Sequence, residues 1–232
     1  MKRIIMLGCI FWMSVLYLNA QITAPGVKWD DTYSFDKCNV MKIEFYAKGN
    51  ELRQMLDLKT FYQPNGENFI IVSTKPNIKD RSETLIDKKN EVAVQTYTSG
   101  EKYIMCNATK YKMPLPEELK KLDLVPTTET KQICGHTCKK YTYTYKKIFG
   151  ECWITEDVKI SNDYGIFRAA KMAALHNTLS VGGFVMEMTT EDAKGGKTLM
   201  KTISLGNDEK YSVDFKKVEM TTSINKVNYF TF

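Results

Sequence analysis

Signatures of catalysis are scarce in this sequence. Histidine occurs only twice, as His136 and His176. No Gly-x-Ser-x-Gly, His-Glu-x-x-His or glycine-rich phosphate loop is present, so an activated serine, a metalloprotease helix and a nucleotide cradle are all unexpected. No catalytic residue, metal or cofactor is therefore assigned. Beyond Leu18 no run of about 18 apolar side chains occurs, which argues against a later transmembrane helix. Charge of one sign is also lacking: 33 basic and 27 acidic residues are scattered along the chain. The lysines gather mostly as pairs at strand ends and turns (Lys88-Lys89, Lys139-Lys140, Lys216-Lys217), where they solvate sheet edges rather than form a nucleic-acid stripe. Neither a repeat period nor a low-complexity linker is found, so a solenoid or a tether is not expected.

What is present begins with a leader. Lys2 and Arg3 precede an apolar run from Ile4 to Leu18, and small Ala20 precedes polar Gln21. Charge, apolar segment and small-residue cleavage site in that order define a secretory signal peptide. Residues 1–20 are expected to be removed on export to the periplasm or beyond, leaving residues 21–232 as one β domain. Leu7-Gly8-Cys9 offers a competing lipoprotein box with lipid on Cys9. The apolar run continues past Cys9 to Leu18, however, whereas a lipobox should close it.

The remaining chain reads as strands. Val40 to Tyr46 alternates, with Met41, Ile43 and Phe45 on one side and Lys42 and Glu44 on the other, which is the period of a half-buried strand. Leu52 to Tyr62 and Phe69 to Thr74 flank Pro64-Asn65-Gly66 as a hairpin, and Glu91 to Tyr97 and Lys102 to Ala108 flank Ser99-Gly100. Further strands are expected at 138–145, 152–155, 184–189, 197–205 and 211–220. Glu117 to Leu124 suggests one or two helical turns. Ile166 to Leu175, with four alanines, is the one longer helix expected, because alanine is the strongest helix former.

Five cysteines follow the leader, and in an oxidising compartment cysteines read first as disulfide partners. A hairpin turning near Tyr145 would place Cys138 opposite Cys152, where Cβ atoms approach to about 4.5–5.5 Å. Cys38 with Cys106 follows by elimination, leaving Cys134 free. Zinc at Cys134, His136 and Cys138, which would share a face only if the segment is extended, is disfavoured because exported cysteines are usually oxidised rather than metal-bound. Asn107-Ala108-Thr109 fits the glycosylation pattern by chance.

Gly135-His136-Thr137-Cys138-Lys139-Lys140-Tyr141 together with Glu151-Cys152-Trp153-Ile154-Thr155 resembles the central signature of an exported bacterial family known only as a domain of unknown function. Leu85-Ile86-Asp87, Gly183-Phe184 with Met186-Glu187-Met188, and Gly195-Gly196-Lys197-Thr198 agree with it, over roughly Val40 to Phe215. That family is similar to periplasmic lipoprotein carriers. The resemblance implies a mainly β fold: an antiparallel sheet curled into a LolA-like half-barrel with one or two short covering helices. Under that fold Ile166 to Leu175 becomes the cover, and Trp153, Phe184, Met186 and Met188 line an apolar pocket. Two functions are then expected in order: a carrier holding a lipid or a lipoprotein's acyl chain, or an envelope protein-interaction or structural module whose core is filled. An outer-membrane barrel fits poorly with a helix and five cysteines.

Overall fold

The computed structural model of the protein describes residues 27–115, 123–145, 147–161, 164 and 181–217. The leader with Cys9, the helix expected at Ile166 to Leu175, most of Glu117 to Leu124, His176 and the chain beyond 217 lie outside the described residues.

The described residues form thirteen strands: β1 (Thr32–Phe35), β2 (Lys37–Ala47), β3 (Glu51–Tyr62), β4 (Phe69–Thr74), β5 (Arg81–Asp87), β6 (Val92–Ser99), β7 (Lys102–Lys110), β8 (Val125–Ile133), β9 (His136–Tyr145), β10 (Ile148–Thr155), β11 (Phe184–Asp192), β12 (Lys197–Asn207) and β13 (Tyr211–Asp214). Eleven of them make one sheet in the order β7-β6-β5-β4-β3-β2-β12-β11-β10-β9-β8, while β1 and β13 form a separate two-stranded ribbon. All pairings are antiparallel. The large sheet is thus two meanders, β2 to β7 and β8 to β12, joined along a seam between β2 and β12.

Strict alternation sends the side chains to two faces, as the period of two requires. The inner face carries a cluster that crosses the seam: Met41, Ile43, Leu56, Leu58, Phe69 and Ile86 from the first meander meet Tyr143, Cys152, Val185 and Met200 from the second. Tyr164 stacks on Tyr62 at 4.2 Å within this cluster and donates to the Gly66 carbonyl at 3.0 Å. The outer face of the first meander carries a second cluster, including Cys38, Phe61, Ile70, Leu85, Val94 and Cys106. The ribbon covers it with Tyr33, Phe35, Val213 and Phe215.

Two buried carboxylates of β5 fasten that ribbon. Asp87 accepts from the Tyr33 hydroxyl at 2.7 Å, and from the Asn90 backbone and side-chain nitrogens at 3.0 and 2.6 Å. Glu83 accepts from Tyr211 at 2.5 Å, from Thr96 at 3.0 Å and from Arg81 at 2.6 Å. Residues 83 and 87 stand four apart on a strand and so share a face, one holding each ribbon strand. A charge without such partners would be too costly to bury.

The half-barrel expectation is corrected by this architecture. Among the described residues the sheet is open, with β7 and β8 at its two edges and no pairing that closes it. Among the described residues helical structure is confined to a 3-10 turn over Phe215–Lys217 and the single positions Tyr164 and Val181. The face that a carrier would leave hollow is filled by its own apolar side chains, because the second meander supplies residues to the same cluster as the first.

Candidate interaction face

The outer face of the second meander has no ribbon over it. Cross-strand register sets its side chains in rows. One row runs Asp57, Lys42, Lys201, Glu187, Trp153, Lys140 across β3, β2, β12, β11, β10 and β9. The next runs Met55, Glu44, Leu199, Thr189, Glu151, Thr142, and a third includes Tyr46, Lys197, Glu191, Phe149 and Thr144. Phe149 is 47% exposed and Ile203 48%, with Leu52 at the start of β3 at 48%. Large apolar side chains therefore meet water here between charged ones.

Ion pairs occupy one side of this face. Lys131 of β8 sits 4.1 Å from the centroid of the Trp153 ring and 2.6 Å from Glu187. Lys140 lies 5.6 Å from the same ring, and 2.9 Å from Glu151 and 3.1 Å from Glu129. Hydrogen bonds to Glu151 and then Glu129 hold the Lys140 ammonium above the ordinary lysine range. Trp153 is buried beneath these cations, and its indole nitrogen has no hydrogen-bond partner.

The four residues expected in a pocket do not share one. Trp153, Phe184 and Met186 are buried in an outer-face cluster with Ile133 and Cys138, whereas Met188 belongs to the inner core. A bulge divides them: Trp153 pairs with Glu187 but Ile154 pairs with Val185, so Met186 is the extra residue and the parity of β11 reverses there. Such a bulge sets two successive side chains on one side. A cleft of about 300 Å³ beside β1, lined by Thr32, Gln63, Glu67, Asn68 and Lys89 among others, contains none of the four.

The expected disulfides are corrected as well, since no disulfide joins any of the five described cysteines. The β9–β10 hairpin pairs Ile148 with Tyr145, which puts Cys152 opposite Tyr141 and not opposite Cys138. The offset of three residues also places the thiols on opposite faces, Cys152 in the inner cluster and Cys138 in the outer. Cys38 and Cys106 lie under the ribbon, but four strands, β3 to β6, separate β2 from β7. Burial pushes the thiols of Cys38, Cys106 and Cys152 up to about 12 and that of Cys138 to about 11. Cys134 is the exposed one. It occupies the left-handed region at φ 51°, followed by Gly135 at 81°, in the two-residue turn between Ile133 and His136. Two successive positive φ values suit a type I′ hairpin. The Cys134 thiol donates to the Ile203 carbonyl at 3.2 Å, tying the hairpin tip to β12.

Among the described residues no three His, Cys, Asp or Glu side chains gather to hold a metal, and no helix is long and apolar enough to cross a membrane. Asn107, of the glycosylation-like triplet, is buried in β7. The seam lysines, the ribbon strand β1 and the carboxylates that hold it escaped sequence reading. Their signal was present as acids inside the apolar β5 stretch, but their partners are remote in sequence.

No family model matches the chain, and no curated protein matches it. Similar solved structures include those of PNGF-II in space groups C2 and P21. The first gives a TM-score of 0.36 at 16% identity, covering 76% of this chain and 28% of that one. The second gives 0.35 at 13% identity, covering 84% and 30%. The chain thus spans less than a third of PNGF-II, and superposition this loose supports no inference about fold or function.

Proposed function

We propose that this protein is an exported envelope module that binds another protein through the outer face of its second meander, with the filled sheet serving as scaffold. The observation that supports it is the contrast between an inner face packed with Met41, Ile43, Tyr143, Val185 and Met200 and an outer face that leaves Phe149 and Ile203 about half exposed. Apolar side chains exposed on a rigid sheet mark interaction surfaces. A carrier of lipid would need the reverse, a sealed exterior and an apolar hollow.

The test has two parts. Titration with an apolar fluorescent probe is expected to reveal no stoichiometric site in the folded protein, and a photo-crosslinking residue at Ile203 in cells is expected to give a discrete protein adduct. A lipid co-purifying one-to-one with the protein, together with no adduct at Ile203, would overturn the proposal.

A further inference from the structure

The seam between the meanders places two like charges side by side. Lys42 of β2 and Lys201 of β12 are direct cross-strand partners on the outer face, and like charges so placed repel. Each has an acidic neighbour on its other side, Asp57 and Glu187 respectively. Glu187 is engaged with Lys131 at 2.6 Å, and among the described residues neither Lys42 nor Lys201 makes an ion pair. Lys201 also stands between Leu199 and the exposed Ile203 on β12.

Resting on the interaction reading above, we infer that the partner lays an extended acidic segment on this seam, its carboxylates received by Lys42 and Lys201 and its flanking apolar residues by Leu199 and Ile203. The spacing fits. Alternate residues of a strand lie about 7 Å apart on one face, so an apolar–acidic alternation in the partner matches Leu199 and Lys201 in turn, and the bulge after Thr202 sets the exposed Ile203 beyond them as a further apolar contact. The width of the positive stripe favours a protein over a membrane or a nucleic acid. It is two strands wide, about 5 Å between axes, and is bounded by Asp57 of β3 on one side and by Glu151, Glu187 and Glu191 on the other, with Glu44 of β2 at its end opposite Leu199. A wide anionic surface would meet those carboxylates, whereas a single strand falls between them.

The experiment uses the mature protein and two short synthetic peptides, one alternating valine with aspartate and one alternating valine with lysine, followed by NMR shifts of β2 and β12 amides. The aspartate peptide is expected to shift those amides and to lose affinity as salt rises, because Lys201 is exposed and Lys42 only half-buried, so salt screens both. In the double variant Lys42→Glu, Lys201→Glu its affinity should fall about tenfold or more and that of the lysine peptide should rise. An unchanged melting temperature shows that the variant is folded, and the single variants serve if the double one is not. Equal binding of both peptides, or binding indifferent to charge reversal, overturns the inference, as does binding of anionic phosphatidylglycerol vesicles that the double variant abolishes. A discrete adduct at Ile203 that persists when the peptides fail would sink the acidic partner alone and leave the interaction reading standing.

Discussion

In the first meander, β5 buries every residue from Glu83 to Asp87. In the second, β12 leaves Lys201 and Ile203 exposed on either side of buried Thr202. Both strands are central in the same sheet and both present their inner side chains to the same cluster, so the difference lies wholly on the outer face. There the ribbon of β1 and β13 seals one half, whereas in the other half the described residues, the β8–β9 tip and the cluster around Trp153, Phe184 and Met186, cover only a part. Because the outer face of β5 is sealed, Glu83 and Asp87 must be fully hydrogen-bonded. The acids on the open face can remain partly solvated and exchange partners. The same antiparallel pairing therefore carries a sealed half and a more open half.

Removing the ribbon's anchor should separate the halves most sharply. Asp87→Ala leaves the Tyr33 hydroxyl and the Asn90 donors without an acceptor inside a sealed region, and is expected to cost about 3 kcal/mol. Tyr33→Phe should cost about 1–2 kcal/mol, since Asp87 keeps its two bonds to Asn90. Lys201→Ala, on the open half, should stay within about 0.5 kcal/mol of wild type. Urea unfolding of the three variants checks the order, and a costly Lys201→Ala would erase the contrast.

Close packing can be probed within the second meander as well. A Cβ on Gly150 would lie 2.0 Å from the Thr189 carbonyl oxygen and 2.6 Å from the Tyr143 hydroxyl, and that hydroxyl itself donates to Thr189 at 2.9 Å. Gly150→Ala is expected to lower stability by about 2–3 kcal/mol, since backbone must move to admit it. Thermal unfolding monitored by Tyr fluorescence reads this directly.

Alkaline pH should act on both halves with a smaller and more gradual effect. Burial raises the thiols of Cys38, Cys106 and Cys152 to about 12 and that of Cys138 to about 11, and it raises the phenols of Tyr33 and Tyr143 too. The folded state thus holds protons that the unfolded state releases at ordinary values. The stabilisation is complete below about pH 9 and is lost as pH rises through 11 to 12. Urea midpoints should be level from pH 7 to 8.5 and decline from pH 9.5 upward; a midpoint still level at pH 11 would contradict the burial of these groups. The smallest perturbation is chemical labelling. A maleimide should modify Cys134 alone in the folded protein, and all five described thiols after denaturation, as mass spectrometry would count. Folded-state labelling of Cys138 would mean that the outer cluster opens.

Much of the fold was legible in the chain. Strands β4, β6, β7 and β11 begin within a residue of where alternation and turn residues put them, because period and turn chemistry are local properties. The hairpin between β9 and β10 was legible too, but its register was not. A turn centred on Tyr145 and one centred past it use the same strands, yet they differ by three residues, and that decides whether Cys138 can meet Cys152. The run Phe184, Val185, Met186, Glu187, Met188 likewise alternates cleanly in sequence, and a single bulge sends Met188 to the opposite face from Met186.

By itself, then, the sequence determined where most of the strands lie and which residues are apolar enough to be buried. Tertiary structure alone decided that β1 pairs with β13, that β12 returns to β2, and that two lysines far apart in sequence come to stand together at the seam. Such pairings bring together segments separated by most of the chain. Their selection rests on the burial shared between whole faces, and no local pattern of side chains encodes it.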